Sequence, residues 1–352
     1  MDKNGEVKVS VIIPVYNMQE YMGECINSVR RQSLHEIEII CIDDGSRDNS
    51  YDILKENAKE DKRIKIIRQQ NQGVAAARNL GIREAVGKYI LFMDADDMYP
   101  NERVIELLFS TAEEKQVVIA GGQFSDIDIS GQINTAYSGL LQGYIFEKSG
   151  LISYQDYQFD YGYHRFLYNR EFLLKNNIFF PEYVRYQDPP FMVKAMTMAE
   201  YFYALKEVSY CYRMDYKVIE WNEKRVCGLL RGLRDNLQWA GKYNLCKLYE
   251  LTMMRLVNEY RKVIVEQTFV SAKVLRILLQ LHEEAITKED KEAIRQMLLE
   301  GYEKQRSCRI EVSKEYERIS TSISYRIGLA VTYIPRRVYK GIRNLFQKKY
   351  SR

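Results

Sequence analysis

Two apolar runs in the first hundred residues end in clustered carboxylates, and that pattern narrows the fold more than anything else in the chain. Tyr89-Ile90-Leu91-Phe92-Met93 leads straight into Asp94-Ala95-Asp96-Asp97, and residues 37–42 lead into Asp43-Asp44-Gly45-Ser46. A short continuous apolar run suits a strand buried on both faces, as in a parallel sheet. Ionised groups are costly in such an interior, so the acids belong at the strands' mouths. On an extended backbone Asp94 and Asp96 leave on the same side, where hard oxygen ligands could share one Mg2+ or Mn2+. A solvated acidic turn capping the next helix accounts for an Asp-x-Asp pair equally well, so the rest of the chain has to decide.

Residues 7–15 are β-branched and almost wholly apolar, a first buried strand that Pro14 is expected to end, because proline cannot serve a central ladder. Tyr21, Cys25, Ile26 and Val29 then recur at helical spacing as far as Gln32. After the strand at 37–42, Asn49 and Ser50 are candidate caps for a helix running to Asp61. Residues 64–67 make a third strand and 74–86 an alanine-rich helix, with Gly87 placed for its C-terminal cap. Strands alternating with helices imply a doubly wound α/β layer with a ligand crevice at the carboxyl ends of the strands. Both acidic clusters therefore belong on one rim. Neither common phosphate loop is present. Five residues, not four, separate Gly81 from Gly87, a strand follows where a P-loop needs a helix, and no Gly-x-Gly-x-x-Gly follows the first strand.

Val9-Ser10-Val11-Ile12-Ile13-Pro14-Val15-Tyr16-Asn17, Ile42-Asp43-Asp44-Gly45-Ser46, Asn71-Gln72-Gly73 with Ala76-Ala77-Arg78-Asn79, and Met93-Asp94-Ala95-Asp96-Asp97 follow one another along the chain. In order and spacing they resemble family 2 glycosyltransferases, densely over residues 7–100. The resemblance implies a GT-A fold (a Rossmann-like, doubly wound mixed sheet), a nucleotide-sugar donor, a divalent cation (Mn2+ or Mg2+) and inversion at the anomeric carbon. Carried over by position, Tyr16 stacks on the base, Asp44 accepts from its ring N–H, Arg78 lies near the nucleotide, Asp94 approaches the ribose or sugar, and Asp96 ligates the metal. Pro14 and Ala95 fall within the same donor-binding motifs. A UDP-sugar rather than a GDP-sugar follows from the likeness at Asp44. Taken singly, Tyr16 is also an ordinary loop packing residue, Asp44 a turn former and Arg78 a solvated helix residue.

Residues 117–120 read as a further strand. From 121 to about 163 the chain is rich in Gly, Tyr and polar residues, expected as an excursion and acceptor-facing loop rather than core. Residues 165–178 contain a helix on apolar spacing, which Phe179-Phe180-Pro181 breaks. In Arg185-Tyr186-Gln187-Asp188-Pro189-Pro190-Phe191 the tandem prolines suit a helix's first turn, which puts Asp188 at the N-cap. The family usually carries a Glu-Asp pair there, with the Asp as catalytic base, so the resemblance assigns that role to Asp188. Gln187 departs from the usual Glu and removes a second carboxylate. The lone His164 reads as a hydrogen-bonded structural residue rather than a rival base.

Residues 201–212 read as extended, with a hairpin as one form. From 217 to 319 the pattern is helical, with Leu229, Leu230, Leu233 and Leu237 on one face and Leu275, Leu278 and Leu279 on another. Trp221 and Trp239 belong to core or interface, with sugar stacking the alternative. The expected division is a catalytic domain over 1–215 (donor half 7–120, acceptor half 121–215), a helical region over 216–320 that offers a surface for self-association, and a tail over 321–352. At 352 residues and 46% hydrophobic content the chain can support such cores.

Charge is uneven. Nine Lys/Arg and no Asp/Glu fall between Arg318 and Arg352, so the rest is mildly acidic although the whole carries +4. The apolar stretch at 325–335 is too short to span a bilayer but suits an interfacial helix on anionic lipid, which would fit a lipid-linked glycan acceptor. A solvated tail, or a helix packed on the bundle, is the alternative. No nucleic-acid-binding module accompanies the charge. The N-terminus has no apolar run of a secretory signal, and the six scattered cysteines show no zinc or redox spacing. The expected compartment is the cytoplasm, at the inner face of the plasma membrane. The competing class is a non-catalytic scaffold or partner subunit of the same fold, against which the intact Asp94, Asp96 and Asp188 argue.

Overall fold

Strands β1 (Val9–Val15), β2 (Ile37–Asp43), β3 (Ile64–Arg68) and β4 (Tyr89–Phe92) alternate with helices α1 (Met22–Arg30), α2 (Ser50–Glu60) and α3 (Val74–Glu84) in a computed structural model, which describes residues 6–127, 133–134, 145–213, 219–268 and 271–308. Every residue of β1, β2 and β4 is buried, which is why these runs show no polar alternation. β1 lies between β2 and β4, β3 lies beyond β2, and all four are parallel. Pro14 does not end β1. It sits within the strand opposite Ile42, beyond the last β1–β4 pair at Ile12 and Phe92. With only one neighbouring strand left at that level, its missing N–H costs no ladder bond. Gly87 is likewise not a helix cap, since α3 ends at Ala85 in extended conformation. A Cβ at Gly87 would lie 2.7 Å from the Ser10 nitrogen, so the glycine serves a close approach to β1.

The chain continues through α4 (Val104–Lys115), β5 (Ile119–Ile127), β6 (Ile133–Asn134), β7 (Gly150–Ser153), the short α5 (Tyr154–Tyr157), β8 (Phe166–Asn169), α6 (Arg170–Lys175), α7 (Asp188–Ala199) and β9 (Tyr201–Arg213). The sheet runs β3-β2-β1-β4-β8-β5-β9-β7, with β6 paired to β5. β8 is antiparallel to β4 and β5, and β5 is parallel to β9, so β5 and β9 point the same way as β1, β2 and β4. One expectation is corrected here and two are sharpened. The 121–163 stretch is not mere excursion, since its described part extends β5 and buries Phe146, Tyr154, Tyr157 and Tyr163. Residues 166–169 form a strand before the expected helix begins at Arg170. Residues 201–213 are one strand without a hairpin turn, because β5 and β7 already flank it.

Contacts divide the chain into two compact units, Met1–Ile219 and Glu220–Arg352. The second is helical in its described part: α8 (Glu223–Tyr243), α9 (Cys246–Met254), a π-helical turn (Arg255–Glu259), α10 (Arg261–Thr268), α11 (Ala272–Glu284) and α12 (Lys288–Cys308). Leu229, Leu230, Leu233 and Leu237 are buried, as are Leu278 and Leu279, while Leu275 is half-buried. Trp221 meets Tyr260 edge-on, and Trp239 stacks on Tyr243 with 5.0 Å between ring centres. No helix among the described residues is long and apolar enough to cross a membrane. The basic tail lies outside the described residues.

Candidate active site

The carboxyl ends of β1, β2 and β4 meet on one edge of the sheet, and the loops leaving them are tied together there. Asn17 N–H donates to Ser46 Oγ at 3.1 Å, and Arg47 N–H donates to Asn17 Oδ1 at 2.9 Å. Asp43, fully buried, pairs with Arg68 Nε at 2.9 Å. Asp44 accepts from Gln69 Nε2 (2.7 Å), Gln72 N–H (2.8 Å) and Gly73 N–H (2.8 Å). Gly45 holds φ +77°, and a Cβ there would come within 3.2 Å of Asn71 N and Gln69 O, so only glycine lets the 69–73 loop close down. A carboxylate has about four acceptor positions, which leaves Asp44 room for one more donor. Tyr16, 38% exposed, stands at the end of β1, while Pro14 and Ala95 are buried.

Asp94 and Asp96 do not leave an extended strand, as the sequence suggested. β4 stops at Phe92, and Asp97 N–H donates to Asp94 O at 3.0 Å, closing a turn. The two carboxylates therefore enter different surroundings. Asp94 Oδ1 accepts from Arg78 Nη2 at 2.6 Å and from Tyr163 Oη at 3.3 Å. Arg78 is 4% exposed and lies over the rings of Tyr163 (4.9 Å) and Phe180 (5.2 Å). Its Nε and Nη1 are buried without a hydrogen-bond partner. Unmet buried donors are costly, and an anion at this rim would satisfy them. Burial pushes the Asp94 carboxyl up, but Arg78, together with Tyr163 and His164, outweighs this and holds it below the usual carboxylate range.

Among the described residues no three His, Cys, Asp or Glu side chains converge into a metal cage. Asp94 and Asp96 are both half-buried, and Asp94 is bonded to Arg78. One carboxylate fits Mg2+ or Mn2+ when phosphate oxygens and water complete the shell.

Asp188 opens α7 as its first residue, one position inside the expected N-cap, because Gln187 takes the capping place without a side-chain cap bond. Tyr186 just before it holds φ +66°, a conformation that bulky side chains rarely adopt. Burial raises the Asp188 carboxyl above its ordinary value, Arg78 and Arg185 oppose that, and Asp94 supports it, with a net upward shift. Arg78 thus acts electrostatically on both Asp94 and Asp188. His164 is buried and packs on Tyr210 with 3.9 Å between ring centres. Its Nε2 is buried without a hydrogen-bond partner. Burial pushes its pKa down to about 3, so it is neutral at physiological pH.

Three further residues fasten the acidic turn, and sequence reasoning did not find them. Asp97, buried, accepts from Tyr210 Oη at 2.5 Å and from Arg213 N–H at 2.8 Å. Tyr210 Oη also accepts from Asp94 N–H at 3.1 Å, and Arg213 Nε donates to Asp96 O at 2.9 Å. The only available signal was the extra acid in Asp94-Ala95-Asp96-Asp97. Nothing marks Tyr210 or Arg213 among the many tyrosines and arginines.

A sequence profile described as glycosyl transferase family 2 matches residues 10–176. The chain is 36% identical over 210 residues to the uncharacterized glycosyltransferase EpsJ of Bacillus subtilis (strain 168), a match covering 58% of this chain and 60% of that one. It is 39% identical over 123 residues to glycosyltransferase GlyG of Streptococcus pneumoniae serotype 4, covering 35% of this chain and 40% of that one. It thus spans less than two thirds of the length of either relative. In three dimensions it is similar to S. aureus TarS 1-349 in complex with UDP-GlcNAc, with a TM-score of 0.67 at 19% identity, covering 84% of this chain and 89% of that chain. At that identity the likeness is one of fold, the mixed α/β GT-A architecture followed by helices.

Proposed function

Because residues 10–176 match the profile of glycosyl transferase family 2, we propose that this chain moves a sugar from a UDP-sugar to an acceptor hydroxyl with inversion. The observation that carries this reading is the buried Arg78, whose Nη2 holds Asp94 while Nε and Nη1 lack partners. A diphosphate supplies the missing acceptors. Tyr16 stacks on the base, and Asp44 accepts its ring N–H with the acceptor position that the 69–73 loop leaves over. Asp94, fixed by Arg78, contacts the ribose or sugar, next to Pro14 and Ala95 in the same donor site. Asp96 holds Mg2+ or Mn2+. When bound there, the cation supplies positive charge against the departing diphosphate.

Asp188 is the base. As the acceptor oxygen bonds to the anomeric carbon and the bond to the UDP oxygen breaks, its carboxylate takes the acceptor hydroxyl proton. A carboxyl raised above its ordinary value is a better proton acceptor once ionised. Turnover must fall as pH drops through that raised pKa, because the protonated form cannot accept.

The acceptor is a surface glycan, carried on lipid. The basic tail docks on the anionic cytoplasmic face of the membrane, and the helical region offers a surface for self-association. UDP-GlcNAc, the ligand of TarS, is the first donor to try.

The test uses a panel of UDP-sugars with Mn2+ and follows UDP release. Asp188→Asn is expected to lower kcat by about 10²–10⁴-fold and to remove the acid limb of the pH profile. Asp96→Ala is expected to raise the Mn2+ concentration needed for half-maximal turnover. Full turnover by both variants on every donor that the wild type accepts would reject the assignment.

A further inference from the structure

Asn79 belongs to the Ala76-Ala77-Arg78-Asn79 run, yet the proposed reaction makes no use of it. Its side chain is 4% exposed and is paired reciprocally with the main chain of Phe180. Asn79 Nδ2 donates to Phe180 O at 2.8 Å, and Phe180 N–H donates to Asn79 Oδ1 at 2.8 Å. Phe180 lies in no helix or strand, so these two bonds meet backbone needs that a ladder would otherwise meet.

What Phe180 carries makes the clamp consequential. Its ring lies flat on Phe191, 3.9 Å between centres and 5° between planes. Phe191 is three residues after Asp188 on α7, less than one helical turn. Both rings meet Phe92 edge-on, at 5.2 and 5.5 Å, and Phe92 ends β4 two residues before Asp94. Arg78, beside Asn79 on α3, lies over the Phe180 ring at 5.2 Å. One aromatic block therefore seats both Asp94 and Asp188, and Asn79 holds the one member of it that no secondary structure holds.

We propose that Asn79 is a positioning residue for the base. By pinning the Phe180 main chain it sets the Phe180–Phe191 stack, and through that stack the seat of Asp188 relative to Arg78 and Asp94. The inference rests on Asp188 acting as the base. A role confined to folding predicts a less stable protein with unaltered chemistry per folded molecule.

The test uses the full chain and whichever UDP-sugar of the panel the wild type hydrolyses fastest. Misplacing a catalytic group by about 1 Å costs on the order of 10²-fold, so Asn79→Ala is expected to lower kcat by about 10–100-fold. The KM for the donor, and the calorimetric Kd for UDP with Mn2+, stay within about threefold, because Arg78 and Asp94 keep their own bond and Asn79 itself has no place in the donor site. Asn79→Asp, which keeps the acceptor for Phe180 N–H, recovers part of the lost kcat. Phe191→Leu, which removes the stack and leaves the clamp, lowers kcat in the same selective way. The double variant falls short of the product of the two single effects, since both act on one seat.

An unchanged kcat in a folded Asn79→Ala protein would overturn the proposal. So would a loss of UDP affinity in proportion to kcat, which would place Asn79 in the donor site. If Asn79→Ala does not fold, Phe191→Leu decides, and a retained kcat there is equally fatal. Turnover surviving in Asp188→Asn removes the proposed function itself. Turnover lost in Asp188→Asn but kept in Asn79→Ala removes only the role of Asn79.

Discussion

Tyr210 bonds twice through one hydroxyl, accepting from Asp94 N–H and donating to Asp97. Without it, a half-buried amide and a buried carboxyl each lose a partner at the turn that carries Asp96. Leaving a buried polar group unmet costs about 1–3 kcal/mol, so Tyr210→Phe should lower unfolding stability by that order, read as a shift in the urea midpoint with an unchanged slope. A midpoint equal to wild type would mean that water replaces the hydroxyl. The same turn marks the limit of reading single residues. Asp94, Asp96 and Arg78 stand out in the sequence because their spacing repeats a family pattern, but nothing in that spacing says that Asp94 turns to Arg78. Burial and a charge partner decide that, and both are products of the packed structure.

At the scale of elements, β1, β2, β3, β4 and the helices between them were legible because unbroken β-branched runs have few alternatives to a sheet buried on both faces. β8 was not. Phe166-Leu167-Tyr168-Asn169 abuts a helix of similar apolar content, and only its place between β4 and β5 makes it a strand. That placement depends on Gly121, where a Cβ would lie 2.1 Å from Phe166 Cδ1. Gly121→Ala must displace the ring or the strand, and overpacking of this kind costs about 1–3 kcal/mol. On the edge strand β7, a Cβ at Gly150 meets nothing within 4 Å, and Gly150→Ala should stay within about 0.5 kcal/mol of wild type. Chemical denaturation of both variants checks the contrast, and equal effects would mean that β8 is not held by close packing. The aromatic stretch before β8 was misjudged for a related reason. Tyr157 and Tyr163 are buried by ring contacts with Phe146, Phe159, Phe202 and Phe180, and Tyr154 packs on Tyr157, rather than on one long patterned face.

For the whole molecule, the proposed docking of the basic tail can be tested directly. Full-length protein is expected to float with vesicles containing anionic lipid and to lose that binding at high salt, since surface attraction is screened within about 10 Å at 0.1 M. A chain lacking residues 325–352 should stay at the bottom of the gradient. Equal flotation of both would refute the role of the tail. The sequence by itself determined the strand–helix alternation, the rim on which the acids gather, the likeness to family 2 glycosyltransferases and the buried leucine face of α8. These rest on local periodicity and on motifs contiguous in the chain. Only the tertiary structure decided which carboxylate faces Arg78, that Tyr210 and Arg213 fasten the acidic turn, and that Asn79, Phe180 and Phe191 join α3 to the helix of Asp188. Contacts between residues about a hundred positions apart leave no period and no spacing to read, because the sheet order that creates them is set by packing of the whole core.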